Sequence, residues 1–232
     1  AEFFEDTLKK QAVVNSGLVF EFRNQTENGF ETKEYLYPEG ITDYVKEILG
    51  EEEALTQVQF WQAERRGKDR EDKPEYKVKL SVAVAFSNRI KLTEYYHNSS
   101  FLEYGGAPDK AVRQAFVSQI DSYLKQTGKY LKNESKINFT DVEDCLVLVS
   151  SSFSTQTSYE NQTKKAINNK FIYEAMTDFL KHQLEVFFLE NPDDANRIAE
   201  QVMINKRSRE NAEKTRLNLK KKLAGSIDIT NR

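Results

Sequence analysis

Val78-Lys79-Leu80-Ser81-Val82-Ala83-Val84-Ala85-Phe86 is the strongest β-strand pattern in this 232-residue chain. Large apolar residues at every second position alternate with smaller or polar ones, which is the period of a strand with two distinct faces. We expect residues 90–96 to turn back across Ser87-Asn88 and pair with this strand. The charged residues 67–74 that precede it predict a mobile loop.

Three further segments carry strand patterns. The alternating residues 18–22 and the returning residues 31–37 flank Asn28-Gly29, a dipeptide that favours a hairpin turn. Residues 58–62 are another candidate strand. The run Cys145 to Val149 is continuously apolar and rich in β-branched residues, which indicates a strand covered on both faces.

Apolar residues at helical spacing mark most of the remaining chain. They predict helices over the first sixteen residues, over 41–49, over 108–127, along the stripe 167–188, and from Asn191-Pro192 to Gly225. Thr140-x-x-Glu143 predicts a capping box. The expected fold class is α+β: a mixed, mostly antiparallel sheet with helices on one face, followed by a long C-terminal helix.

Composition excludes several classes of protein. With 38% hydrophobic and 31% charged residues, the chain suits one large domain or two small ones. No apolar run approaches the roughly 20 residues of a membrane span, and the acidic N-terminus lacks the features of a signal peptide. A single cysteine, Cys145, excludes a disulfide framework, so we expect a reducing, cytoplasmic setting without membrane contact.

Charge is distributed unevenly along the chain. The net charge is −3, yet residues 206–222 contain eight basic and two acidic residues, which leaves −9 for the remainder. Such a basic segment is typical either of an element that faces a polyanion or of an ordinary solvated helix face. The residues alone leave both interpretations open.

The tripeptide Gln162-Thr163-Lys164 lies in a polar loop, residues 154–165, between a buried strand and a long helix. A lysine just before a helix start can hold a phosphate, because its charge adds to the unpaired N–H groups of the first turn. A chance tripeptide in a polar loop is the alternative. The motifs around it bear on that choice.

Seven motifs occur in the same order as in one known family, the transducer domains of type IIA DNA topoisomerases, in particular those of bacterial gyrase and topoisomerase IV, where the domain belongs to the gyrase B protein or its counterpart. They are Asn15-Ser16-Gly17, Tyr37-Pro38-Glu39-Gly40-Ile41, Val82-Ala83-Val84-Ala85-Phe86, Tyr96-His97-Asn98, Glu103-Tyr104-Gly105-Gly106, Asn161-Gln162-Thr163-Lys164 and Leu189-Glu190-Asn191-Pro192. The chain resembles that family nearly end to end. It departs from the family at Ala107-Pro108, where the family usually has Thr-His.

The resemblance implies a fold and a nucleotide contact. The fold would be that of a ribosomal-protein-like transducer with a left-handed βαβ crossover, with residues 1–200 as the transducer domain. Such a domain follows a GHKL-type ATPase domain and precedes a TOPRIM domain. By position in the motif, Lys164 and Gln162 would contact the γ-phosphate of ATP held by the ATPase domain. Mg²⁺ would be bound only in the neighbouring domains.

The resemblance also implies partners. Residues 201–232 would form a basic exit helix leading towards the TOPRIM domain, and its cations would contact double-stranded DNA through phosphates: Lys206, Arg207, Arg209, Arg216, Lys220, Lys221 and Lys222. The full enzyme would be a homodimer that also binds a topoisomerase A-type subunit.

The residues suggest neither a catalytic nucleophile nor a metal cluster. We therefore expect the chain alone to be inactive. The resemblance implies that it acts by coupling ATP binding and hydrolysis to movement of the DNA gate. A stand-alone DNA- or protein-binding module, or the second domain of another GHKL ATPase, is the alternative function.

Overall fold

The computed structural model describes residues 1–159 and 165–230, with side chains up to residue 226. In this part of the chain the helices are α1 (Glu2–Val14), α2 (Ile41–Leu49), α3 (Ala107–Gln126), α4 (Phe139–Glu143), α5 (Lys170–Glu190) and α6 (Pro192–Thr230). The strands are β1 (Phe20–Thr26), β2 (Gly29–Tyr35), β3 (Gln59–Gly67), β4 (Tyr76–Phe86), β5 (Leu92–His97), β6 (Ser100–Phe101), β7 (Gly105–Gly106), β8 (Leu146–Ser154) and β9 (Ala166–Ile167).

Five strands form the main sheet, in the order β3-β4-β8-β5-β6. Its pairs are antiparallel except for β5 and β8, which run parallel. The predicted N-terminal hairpin is confirmed, since β1 and β2 pair around Thr26 and Gly29. This hairpin is a separate two-stranded sheet beside α1.

The predicted pairing of residues 90–96 with β4 is wrong. β8 lies between β4 and β5, with Val84 opposite Leu148 on one side and Thr93 opposite Leu148 on the other. A continuously apolar strand is most stable at the centre of a sheet, where both of its faces are covered. The chain reaches β8 from β5 through α3 and α4, a crossover that makes the parallel pair possible.

Helices cover both faces of the sheet, so the prediction of helices on one face is also wrong. On one face, β4 residues Val78, Val82 and Phe86 belong to a core shared with α3, α5 and the first half of α6. On the other face, Ala83 and Ala85 of β4 pack in a second core with α1 and α2. The alternation along β4 thus places successive side chains in one core or the other. The predicted burial of β8 on both faces is confirmed.

Two predicted helix ends also differ from the structure. The capping box of α4 is formed by Asn138 and Asp141 rather than by Thr140 and Glu143. Helix α6 continues through Gly225, because an isolated glycine in an exposed helix costs only about 1 kcal/mol relative to alanine. Within the described residues, no helix has both the length and the apolar character that a membrane crossing requires.

Candidate functional site

The first residues of the loop that follows β8 contact side chains from the end of β5. His97 is fully buried, and its Nδ1 lies 2.7 Å from Ser152 Oγ. Its Nε2 lies 3.2 Å from both Ser154 Oγ and Thr157 Oγ1. Burial lowers the pKa of His97 to about 4, so the ring is neutral at pH 7 and joins the strand to the loop through hydrogen bonds.

Asn98 holds the main chain of the same loop. Its Oδ1 accepts a hydrogen bond from the Ser154 N–H at 2.9 Å, and its Nδ2 donates to the Ser154 carbonyl at 3.0 Å. Nδ2 also donates to Thr157 Oγ1 at 3.2 Å. The first part of the loop is therefore fixed to β5 by both main-chain and side-chain contacts.

The other end of the loop is fixed by the Gly105-Gly106 pair. β7 pairs in parallel with β9, and the Tyr104 N–H donates to the Lys165 carbonyl at 3.0 Å. Gly106 has φ +84°, and a Cβ there would lie 2.1 Å from the Ile167 carbonyl oxygen. Only glycine allows this close backbone approach. The motif therefore permits the pairing of β7 with β9, in addition to interrupting the chain before α3.

Lys165 is held at the edge of this arrangement. It forms an ion pair with Glu103, and its Nζ lies 5.6 Å from the centre of the Tyr104 ring. Lys165 is thus engaged in intramolecular contacts, whereas the neighbouring Lys164 is predicted to contact a nucleotide.

A third set of contacts comes from the β3–β4 connection. Asp69 accepts hydrogen bonds from Tyr76 Oη at 2.7 Å, from Asn169 Nδ2 at 3.0 Å and from the Phe171 N–H at 3.0 Å. Asn169 is buried, and its Oδ1 accepts from the Ser158 N–H at 2.7 Å. The charged loop predicted to be mobile is therefore attached to the start of α5 and, through Asn169, to the loop after β8.

This geometry corrects the helix-terminus argument for a phosphate site. Helix α5 begins at Lys170, and β9 separates it from Lys164. The Asp69 carboxylate already occupies the N–H group of Phe171 in the first turn. The N–H group of Phe171 is therefore not available to bind a phosphate. Sequence reasoning missed Asp69 and Asn169, because neither stands in a recognisable motif.

Gln162 and Lys164 lie outside the described residues, so their nucleotide contacts stay predictions. What the structure describes is the frame on either side of them. The motifs Tyr96-His97-Asn98 and Glu103-Tyr104-Gly105-Gly106 meet the two ends of this one loop, although the paired residues are more than 50 positions apart in sequence.

The inner cations of α6 are occupied within the chain. Lys206 has a fully buried side chain and forms ion pairs at 3.1 Å with both Glu134 and Glu210. Arg207 also contacts Glu134, at 3.2 Å. Arg209 binds both carboxylate oxygens of Asp141, at 2.8 and 3.2 Å. In this structure the Glu134 contacts join α6 to the α3–α4 connection, and the Asp141 contacts join it to α4 itself.

The outer cations of α6 have a different environment. Residues 211–226 are all exposed, including Arg216 and the cluster Lys220, Lys221 and Lys222. No sequence signal separates this outer group from the inner one, because the difference depends on Glu134 and Asp141, which lie some 70 residues earlier. The DNA-phosphate contacts predicted for the whole basic segment stay a prediction, and the outer group is exposed to solvent.

A family model described as DNA gyrase B matches residues 40–218, more than three quarters of the chain. The chain belongs to the DNA gyrase B family. The matched range of this gyrase B family member includes every strand of the main sheet, both ends of the loop after β8 and the inner part of α6.

Similar proteins agree with this assignment. The chain is 26% identical over 215 residues to the DNA gyrase B protein of Mycoplasmoides gallisepticum, a match that covers 90% of this chain and 32% of that protein. It is 26% identical over 230 residues to the DNA gyrase B protein of Thermotoga maritima, covering 95% of this chain and 34% of that protein. This gyrase B family chain thus spans about a third of the length of these relatives.

Two solved structures share the fold. The 43K ATPase domain of Thermus thermophilus gyrase B, in complex with an aminocoumarin, superposes with a TM-score of 0.67 at 19% identity, over 93% of this chain and 55% of that one. The topoisomerase IV ATP binding domain of Francisella tularensis gives 0.68 at 20% identity, over 90% and 53%. The gyrase B family chain therefore matches about half of each of these longer structures.

Proposed function

We propose that this chain is the transducer domain of a type II DNA topoisomerase, and that it senses the γ-phosphate of ATP through Lys164 and Gln162. The observation that carries the proposal is the attachment of the loop after β8 at both ends, by Asn98 on one side and by the Gly105-Gly106 pair on the other. A loop held in this way can transmit force from a bound phosphate to the sheet.

The proposed site uses ATP shared with a separate ATPase domain, which would also hold the Mg²⁺. A cation that contacts only the γ-phosphate binds ATP and not ADP, so the contact is lost when ATP is hydrolysed. Loss of the contact would let the domain rotate and move the DNA gate. Such a protein would act as a homodimer, together with an A-type subunit and double-stranded DNA.

The parallel pair of β5 and β8 supports the finer fold assignment. These neighbouring strands are joined through α3 and α4, as a βαβ unit requires. We assign the crossover the left-handed form of the ribosomal-protein-like transducer fold, with residues 1–200 as the domain and 201–232 as the exit helix.

Lys164→Ala in the full-length protein is expected to lower the DNA-stimulated ATPase rate about 100-fold, the usual effect of removing one donor that stabilises transition-state charge. Strand passage should be lost with it. Both are measured with ATP turnover and DNA relaxation or supercoiling assays. Lys165→Ala is the matched control, because that neighbouring lysine pairs with Glu103, and it should retain most of both activities. Equal activity of wild type and Lys164→Ala would contradict the proposed nucleotide contact and favour the alternative function, a stand-alone binding module.

Replacing Lys220, Lys221 and Lys222 together with alanine is expected to weaken binding of double-stranded DNA and to flatten its salt dependence. Each lost phosphate contact reduces the slope of log affinity against log salt by about 0.9, so the slope should fall by about 3. Affinity is measured by fluorescence anisotropy over a range of roughly 50 to 200 mM salt. The triple arginine variant retains the charge and should keep the slope, whereas an unchanged slope in the alanine variant would exclude these contacts.

A further inference from the structure

Lys206 is completely buried, although it lies where α6 leaves the core. Its side chain is 0% exposed, and its Nζ lies 3.1 Å from carboxylate oxygens of both Glu134 and Glu210. The same nitrogen lies 5.9 Å from the centre of the Tyr130 ring. A lysine is almost never fully buried unless it is paired, so these contacts account for the position of its ammonium group.

The groups that bind this ammonium group are themselves fixed to the α3–α4 connection. Glu134 accepts a second hydrogen bond from the Leu131 N–H at 2.7 Å, and the Ser135 Oγ donates to Glu210 at 2.8 Å. Tyr130 Oη accepts a hydrogen bond from the main chain of the same connection at 3.2 Å. The connection thus forms a defined socket for one side chain of α6.

Lys206 marks the boundary between the two halves of α6. Before it, Val202 and Met203 are buried in the main core, whereas residues 211–226 are all exposed. These exposed residues extend the helix by about 24 Å. Because a continuous helix takes its direction from its anchored end, contacts at the boundary decide where the exposed half points.

We propose that Lys206 is a positioning residue: together with Glu134 and Glu210 it forms an ionic joint that fixes the direction in which the exposed half of α6 leaves the domain. Apolar side chains of about the right size fill a core but specify its geometry less strictly. An ammonium group held between two carboxylates has few alternative arrangements, and a buried charge cannot be left unpaired. The inference does not depend on what the exposed half binds.

A purely stabilising role for the joint makes a different prediction. Replacing a buried ion pair with apolar side chains of similar volume is often neutral or stabilising. The double variant Glu134→Leu/Lys206→Met should therefore keep a Tm near that of wild type and still lose the fixed direction. Lys206→Met alone leaves Glu134 with Arg207 as its cationic partner, and it should lose the direction together with some stability.

The test measures distances in the 232-residue chain by pulsed electron paramagnetic resonance. Spin labels are attached to cysteines that replace the exposed residues Asp178 of α5 and Asn218 of α6, in a Cys145→Ala background that removes the natural thiol. Asn218 lies about 18 Å beyond Lys206 along the helix, so a tilt of about 20° moves its label by about 6 Å. Lys214→Met, which removes an exposed lysine of the same helix, is the matched control.

We expect one narrow distance distribution in wild type and in Lys214→Met. The distribution should be broader by about 6 Å in Lys206→Met and in the double variant, with Tm near that of wild type in the double variant. A narrow distribution in either variant would overturn the proposal, because apolar packing alone would then fix the helix. Broadening confined to variants with a lowered Tm would also overturn it, since loss of stability would account for the change.

Discussion

Gly106→Ala is expected to destabilise the folded chain by at least about 3 kcal/mol, among the largest effects of any single substitution in it. Two penalties combine at this position. The φ of +84° is unfavourable for any residue with a Cβ, and the new Cβ would lie 2.1 Å from the Ile167 oxygen and 2.9 Å from its nitrogen. Since these are backbone atoms of β9, the clash can be relieved only by separating β7 from β9. The free energy of unfolding is measured by urea denaturation.

Gly128→Ala is the matched control. Gly128 also has positive φ, +64°, but a Cβ there meets nothing within 4 Å. It should therefore show the conformational strain alone, about 1 kcal/mol. Equal losses for the two variants would contradict the role of close backbone approach. If the chain senses the γ-phosphate as proposed, Gly106→Ala should also reduce the difference in affinity between ATP and ADP, because β9 holds the end of the loop after β8.

Glu134→Gln is expected to destabilise the chain by about 3 kcal/mol, because it leaves the buried Lys206 with a single carboxylate partner. The side chain of Glu134 is 9% exposed and that of Lys206 is completely buried. For a chain of this length, such a loss corresponds to a fall in Tm of about 6 to 12 °C. The same substitution at Glu71, whose side chain is 95% exposed beside Lys68, should change stability by less than about 0.5 kcal/mol.

Acid should reduce the difference in free energy of unfolding between Glu134→Gln and wild type. Burial on its own would raise the pKa of Glu134, but hydrogen bonds from Arg207, the Leu131 N–H and Lys206 outweigh it and lower the pKa to about 2, from an ordinary value of 4.5. The carboxylate therefore contributes its full stability above pH 4.5 and loses it as the pH falls towards 2. Urea denaturation of both proteins between about pH 7 and pH 3 measures the difference. If the difference in free energy of unfolding stays constant with pH, the charge of Glu134 does not contribute to stability.

The same ionic contacts divide the basic segment of α6 into two parts. Lys206 joins the helix to the α3–α4 connection and Arg209 joins it to α4, whereas Arg216 and Lys220 to Lys222 lie on the exposed outer half. If the outer half binds DNA as proposed, the inner half fixes its direction relative to the sheet. Loss of Glu134 would then weaken the coupling between ATP hydrolysis and strand passage as well as stability.

Sequence patterns predicted the elements of this fold well, because alternation and helical spacing record which side of each element is buried. The periods of β4, α3 and α5 and the Asn28-Gly29 turn all correspond to observed elements. The same patterns could not predict strand order. Proximity in sequence favoured pairing of β4 with β5, but β8, which begins 60 residues after β4 ends, lies between them and is buried along most of its length.

The candidate site shows the same division. The order of motifs identified the family and singled out Gln162-Thr163-Lys164, although that tripeptide lies outside the described residues. It did not predict that Asn98 would hold the loop after β8, that Asp69 would occupy the first turn of α5, or that Lys206 would be buried. Each of these depends on a partner more than 50 positions away.

By itself the sequence determined the longer helices and strands, the two-faced character of β4 and the family. The tertiary structure alone decided the strand order, the covering of both faces of the sheet, the attachment of the loop and the pairing of the inner cations. The physical reason is that periodicity reflects the local environment of one element, whereas hydrogen bonds and ion pairs between distant residues exist only where the folded backbone brings those residues together.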